Sequence, residues 1–217
     1  MNKVAFSNSF FTDIKIGLPA SEFQHYLDNR NTVIISDQNL FRLYPKLFEG
    51  YQHIILNPGE DTKSFQTIEK IIAEFVKLNL DRNSFVIGFG GGVITDITGF
   101  AASVYMRGLS FGFIASSLLA QVDAAIGGKN GVNFGNLKNY IGSFSMPEWI
   151  ICDPVLLNTL HENEFKSGLG EVLKYSLLDN DTEFFKFLDN NSEKIFKKDP
   201  TALNYIINEC IRVKTKI

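Results

Sequence analysis

Histidine and cysteine are scarce in these 217 residues, at three and two copies. Cys152 and Cys210 stand far apart, in no metal-type spacing, and read as the reduced thiols of a cytoplasmic protein. His25, His53 and His161 are the only histidines. His161 has no companion at ligand spacing and reads as a helix-start residue. The longest apolar stretches are broken by Gly, Ser or charge, which excludes a membrane span. Phe6, Phe10 and Phe11 are interrupted by polar residues, so the beginning of the chain does not read as a secretory signal. Lys and Arg are scattered and the formal net charge is −3, which leaves no nucleic-acid footprint. An anionic substrate must then be held by a few placed cations rather than by a general positive field. There are no internal repeats and no low-complexity tracts.

What is present is ordinary globular material. The chain is 45% hydrophobic and 21% charged, enough for one core or for one and a half domains. Short β-branched runs at 32–36, 53–56, 84–89 and 109–114 predict buried strands. A helix is predicted over 64–78, with Phe65, Ile68, Ile71, Ile72, Phe75 and Val76 on one face and Ser64 or Thr62 as its cap. A second is predicted from Val93 to about Met106. Strands alternating with helices imply βαβ units, so residues 1–157 are expected to form an α/β, Rossmann-like, parallel-sheet domain. After about Asp153 the strand signal fades. Helices are predicted over 162–178, 181–189 and 200–217, so residues 158–217 read as the start of an all-α domain. The last helix carries Leu203, Ile206, Ile207, Cys210, Ile211 and Ile217 and ends without a Gly or Asn stop signal, from which a continuing polypeptide is expected.

Four motifs carry candidate chemistry. Gly88-Phe-Gly90-Gly91-Gly92-Val-Ile-Thr95-Asp96 follows a strand and opens a helix. A tight turn needs one glycine or two. Three let backbone N–H groups approach a pyrophosphate at the positive end of a helix dipole. The order is not GxGxxG, so the Rossmann fingerprint itself is absent. Pro58-Gly59-Glu60-Asp61-Thr62-Lys63 is either a turn for ribose hydroxyls and a phosphate or a solvated turn before a helix. Ser116-Ser117 through Gly127-Gly128-Lys129, with Lys138-Asn139 further on, is either an anion cradle or a solvated loop. In Ser167-Gly168-Leu-Gly170-Glu171-Val-Leu-Lys174-Tyr175, Glu171 and Lys174 share a helix face. The two glycines weaken that helix by roughly 1 kcal/mol each, which suggests a close backbone or ligand approach.

Taken together, GGGVITDITGF, YMRG, SSLLAQVDAAIGGKNGVNF, LKNYIGSF, CDPVLLNTL and SGLGEVLKYSLL resemble the 3-dehydroquinate synthase family, from Pro58 to Leu178. The resemblance implies a Rossmann-like NAD domain followed by an α-helical metal-binding domain, in a cytoplasmic homodimer. It also implies conversion of 3-deoxy-arabino-heptulosonate 7-phosphate to 3-dehydroquinate and phosphate, in the shikimate pathway of aromatic amino acid biosynthesis. The implied cofactors are NAD and a divalent metal, zinc or cobalt.

By position, the resemblance puts Asp37, Glu60 and Lys63 at the adenosine ribose. It puts Gly91, Gly92, Val93, Asp96, Ser116 and Ser117 along the pyrophosphate and nicotinamide side. Leu156, Thr159, Leu160 and Glu164 flank the cofactor. Asp123, Lys129, Lys138 and Asn139 lie where cofactor and substrate meet. Arg107 reaches toward substrate phosphate, across the dimer interface. Lys174 contacts substrate and Glu171 binds the metal. The sequence departs from the family at Thr95, where glycine is usual, so either a changed loop or a dispensable glycine is expected there. It departs again at Ala115-Ser116-Ser117, for Pro-Thr-Thr, and at His161, for Pro. None of its histidines matches the family's two metal-binding ones, so the chain by itself is expected to be inactive. Two other readings stand beside this one: a metal-dependent polyol dehydrogenase, and a non-catalytic nucleotide-binding protein.

Overall fold

The structure is a computed structural model and describes residues 2–7, 10–179 and 182–216. Nine strands and seven α-helices are described: β1 (Asn2–Ser7), β2 (Phe10–Ile16), β3 (Thr32–Asp37), α1 (Gln38–Leu43), β4 (Gln52–Leu56), α2 (Phe65–Lys77), β5 (Phe85–Gly90), α3 (Gly92–Val104) and β6 (Ser110–Ala115), then β7 (Lys129–Phe134), β8 (Leu137–Phe144), β9 (Trp149–Cys152), α4 (Glu162–Leu178), α5 (Glu183–Asn190), α6 (Ser192–Phe196) and α7 (Pro200–Lys214). The main sheet has seven strands in the order β1-β2-β9-β6-β5-β3-β4, and β7 with β8 forms a separate hairpin. Every pairing from β2 to β4 is parallel, and β1 runs antiparallel to β2.

Alternation along the strands divides the core between the two sheet faces. Val33, Ile35, Val86, Ile150 and Cys152 point to one face, where α2 and α3 pack through Ile68, Ile71, Phe75 and Ile97. Ile34, Phe85, Ile87, Phe89, Trp149 and Ile151 point to the other, against Phe23, Leu27 and Phe48. The first of these clusters runs on into the helical portion through Val172, Tyr175, Phe184, Leu203 and Ile206. The residues after 157 therefore continue the core of the sheet's helix-bearing face.

The four strand expectations are met within a residue or so, and α2 begins at Ser64 as its cap, accepting from Thr67 N. The buried face of α2 is narrower than expected: Ile68, Ile71 and Phe75 are buried, while Phe65 and Val76 are exposed. The α4 helix spans the expected 162–178, and α7 buries Leu203, Ile206, Ile207, Cys210 and Ile211. Asp181, at the start of one expected helix, and Ile217, at the end of another, lie outside the described residues. Among the described residues, no helix is long and apolar enough to cross a membrane.

The hairpin, β9 and the first two strands, β1 and β2, were not foreseen. β7 reads KNGVNF, poor in β-branched residues, and β8 is mostly exposed. Glycine explains the hairpin's closeness. Gly131 pairs with Gly142, and a Cβ on Gly142 would lie 2.1 Å from Asn130 O.

Candidate functional site

The strand order fixes where a ligand can enter. β3 pairs with β4 on one side and β5 on the other, and the chain steps from β3 to β4 in one direction and from β5 to β6 in the opposite one, so the direction of winding reverses between β3 and β5. A crevice opens beyond the carboxyl ends of parallel strands at such a point. Asp37 ends β3, and Gly90-Gly91-Gly92 ends β5 and begins α3.

The glycines are required for closeness, not for left-handed backbone. Gly91 has φ −79°. A Cβ on Gly90 would fall 2.4 Å from Ile94 Cβ, one on Gly91 3.2 Å from Ser117 Oγ, and one on Gly92 3.2 Å from Ala124 Cβ. The loop thus packs tightly on the turn that carries Ser117, whose Oγ accepts from Ala120 N. Ser116 is buried and pairs through its N–H with Gly90 O. No side chain caps α3 among the described residues, so its first N–H groups, Val93 included, are available to an anion. Of the two alternatives at Thr95, the structure favours a dispensable glycine, since the position needs no left-handed backbone. Thr95 lies inside α3 with helical backbone, buried, its Oγ1 donating to Gly92 O.

Beside this loop the Pro58–Lys63 turn folds inward. Gly59 has φ +105°, which lets the chain double back. Lys63 is buried at 5% exposure. Its ammonium donates to Asp96 Oδ2 and, at 2.5 Å, to Asn139 Oδ1. Burial pushes the Asp96 carboxyl above its ordinary value, against the pull of Lys63. Glu60 joins through Asn133, whose Nδ2 donates to Glu60 Oε1 at 2.8 Å. Four expected residues, Glu60, Lys63, Asp96 and Asn139, are thus one hydrogen-bonded group. Asp37 stands at the crevice but also caps α1, its Oδ1 accepting from Asn39 N and Leu40 N.

A second group joins the sheet domain to the helices. Asp123 Oδ1 accepts from the Tyr175 hydroxyl at 2.5 Å and from Lys214 Nζ at 2.6 Å, and Lys214 also donates to Asp123 O. Burial raises the Asp123 carboxyl, but the hydrogen bonds from Lys214 and Tyr175 outweigh it and bring it below its ordinary value. Desolvation lowers Lys214 in turn, against the pull of Asp123. Glu171 and Lys174 form an ion pair on α4, and the hydrogen bond to Glu171 raises Lys174. Lys174 and Lys129 act on this group by charge. Among the described residues, no group of three or more His, Cys, Asp or Glu is arranged to hold a metal ion.

Other expected residues are dispersed. Lys129 and Lys138 are exposed on the hairpin, behind the left-handed turn of Gly127 and Gly128. Arg107 is exposed at φ +68° and makes no hydrogen bond with either group. Leu156 is buried, Leu160 is half-buried, and the Thr159 hydroxyl lies 2.7 Å from that of Tyr44. Glu164 is exposed on the first turn of α4, whose N-cap is His161. The expected close approach at Gly168 is made by protein: a Cβ there would meet Leu118 Cβ at 2.8 Å. At Gly170 it would meet nothing.

Sequence reading missed Asn133, Tyr175 and Lys214 as site residues. A signal existed for Lys214. It continues the buried stripe of Ile207, Cys210 and Ile211 by one helical step, and a lysine there requires a partner.

The fold and these groups define an α/β protein with a nucleotide-type crevice at its switch point and a helical cap. Residues 53–167 match the family profile of the 3-dehydroquinate synthase N-terminal region, and residues 168–217 that of the C-terminal region. The chain belongs to the 3-dehydroquinate synthase family. It is 48% identical over 164 residues to 3-dehydroquinate synthase of Dictyoglomus turgidum, covering 75% of this chain and 46% of that protein. It is 38% identical over 216 residues to that of Alkaliphilus metalliredigens, covering 97% and 60%. The chain thus spans about half to three-fifths of these relatives' length. Its fold is similar to 2-epi-5-epi-valiolone synthase of Streptomyces hygroscopicus, solved with NAD+ and Zn2+ bound. The TM-score is 0.87 at 25% identity, covering 98% of this chain and 62% of the other.

Proposed function

We propose that this chain supplies the NAD-binding part of a 3-dehydroquinate synthase and the first helices of its substrate- and metal-binding part. The observation that carries the reading is the side-chain-free N-terminus of α3, opened by Gly91 and Gly92 at the switch point and set beside the Lys63–Asp96–Asn139 group. A dinucleotide there rests its pyrophosphate on the N–H groups of Gly91, Gly92 and Val93. Asp37, Glu60 and Lys63 serve the adenosine ribose, and Ser116 and Ser117 back the loop. Leu156, Thr159, Leu160 and Glu164 border the cofactor. NAD, when bound, supplies reversible hydride acceptance at a substrate hydroxyl.

The chain's own residues do the rest. Asp123, held below its ordinary value, keeps a negative charge where cofactor and substrate meet. Lys129 and Lys138 are free in solvent to neutralise a departing phosphate, Asn139 and Lys174 hold substrate oxygens, and Arg107 reaches the phosphate of a neighbouring subunit's substrate. Glu171 is one ligand for a divalent ion. A catalytic site takes about three protein ligands. The described residues do not complete that set.

The reading includes a cytoplasmic homodimer, and the surface offers apolar side chains for the association. Phe134, Leu137, Tyr140 and Phe144 are exposed on the hairpin. The Ser103 and Ser143 hydroxyls, 2.7 Å apart, tie the last turn of α3 to it.

The test is a calorimetric titration of the NAD-loaded chain with 3-deoxy-arabino-heptulosonate 7-phosphate. Binding is expected, and it should weaken in K129A without a change in melting temperature. An NAD-loaded chain that ignored this sugar phosphate, or that accumulated NADH with glycerol, would contradict the reading. Phosphate release by the chain with NAD and added zinc or cobalt is expected to be absent.

A further inference from the structure

We infer that Asn133 is a positioning residue of the nucleotide crevice, the joint that locks the Glu60–Lys63 turn to the hairpin carrying Asn139. The inference rests on the reading of the crevice as an NAD site. It begins with an irregularity: the β7–β8 register shifts between Val132 and Phe134. The extra residues are on β8: Lys138, Asn139 and Tyr140 stand opposite the single residue Asn133, which interrupts the ladder locally. Asn133, outside the β7–β8 pairing at that point, forms a lone parallel bridge with Ser64, its N–H donating to Lys63 O at 2.9 Å. Its side chain uses both ends of the amide. Nδ2 donates to Glu60 Oε1 at 2.8 Å, and Oδ1 accepts from Asn139 N at 2.8 Å.

These bonds explain two features nearby. Asn139 sits at φ +54°, a left-handed conformation that costs energy unless something holds it. The bond from its N–H to Asn133 does so, and thereby aims Asn139 Oδ1 at the Lys63 ammonium. Glu60, on a three-residue helical turn, is anchored by Asn133 Nδ2. Asparagine suits the place because it offers one donor and one acceptor on a short stem. Aspartate keeps the acceptor for Asn139 but turns the donor into a second carboxylate facing Glu60.

The experiment compares NAD affinity in wild type, N133D, E60Q and E60Q/N133D by calorimetric titration, with circular dichroism melts of each. A hydrogen bond to a charged group replaced by carboxylate repulsion should weaken NAD binding about tenfold in N133D. In the E60Q background the same substitution should cost under about twofold, since the amide introduced at position 60 then donates to the carboxylate and the bond is restored in reverse. A merely structural Asn133 would cost the same in both backgrounds. That result, or unchanged affinity in N133D, overturns the inference and leaves the NAD reading standing. Absence of NAD binding by wild type overturns both. N133L, without donor or acceptor, gives a second measure that avoids added charge, and wild-type affinity in that variant likewise overturns the inference.

Discussion

The two polar groups of this molecule are built differently. Around the crevice, Lys63 and Asp96 have side chains only 6% and 17% exposed, and the turn before α2, the start of α3 and the hairpin converge there. On α4, Lys174 and Glu171 are 48% and 30% exposed and lie within a single helix. A buried pair with further hydrogen bonds fixes geometry and is costly to break. An exposed pair three residues apart contributes little. The crevice is therefore assembled from separate elements, whereas the α4 pair is made within one helix. Leu173, Leu177 and Leu178 on the same helix are exposed as well.

That contrast sets the order of effects. The largest is expected at K63M, which leaves the Asp96 carboxylate buried without its cation. Chemical denaturation should show a loss of about 3 kcal/mol, together with loss of NAD binding. A loss equal to that of a surface lysine would place Lys63 in solvent.

D123N comes next, at about 1–2 kcal/mol near neutral pH, by removing the charge that Lys214 and Tyr175 face. Its pH dependence has a definite sign. The Asp123 pKa is lower in the fold than its ordinary 3.8, so its contribution is present above that value. It is lost as pH falls below 3.8 through the folded value. Wild type and D123N should then converge in stability at acid pH. A difference that persisted there would mean that Asp123 acts through packing.

The smallest effect is K174A, within about 0.5 kcal/mol of wild type in the same denaturation assay. A loss as large as that of K63M would erase the distinction between the two regions.

The sequence disclosed these regions unequally, for physical reasons. Buried parallel strands are continuous apolar runs, so β3 to β6 were legible, while β9 has the same character but only four residues and was passed over; α4 and α7 showed their apolar stripes. The hairpin was hidden because Gly131, Gly142 and Asn130 are chosen for backbone approach rather than strand propensity. Glu60, Lys63, Asp96 and Asn139 were placed by resemblance, and their union by hydrogen bonds needed the fold. Asn133 gave no sign because its role depends on a bulge, and Tyr175 none because a tyrosine on a helix face reads as core. At Thr95 the sequence left a changed loop and a dispensable glycine both open, and only the fold shows the position to be inside a helix.

The most direct test of the crevice is NAD titration of the wild-type chain against G91V. Gly91 has φ −79°, open to any residue, so valine brings no backbone strain there. A Cβ at this position would already stand 3.2 Å from Ser117 Oγ, and its methyl groups would occupy the space over the first N–H groups of α3. The account predicts saturable binding by wild type and at least about tenfold weaker binding by G91V, in line with the loss of one or more charge-assisted hydrogen bonds, with both proteins folded. Equal binding by the two would contradict it.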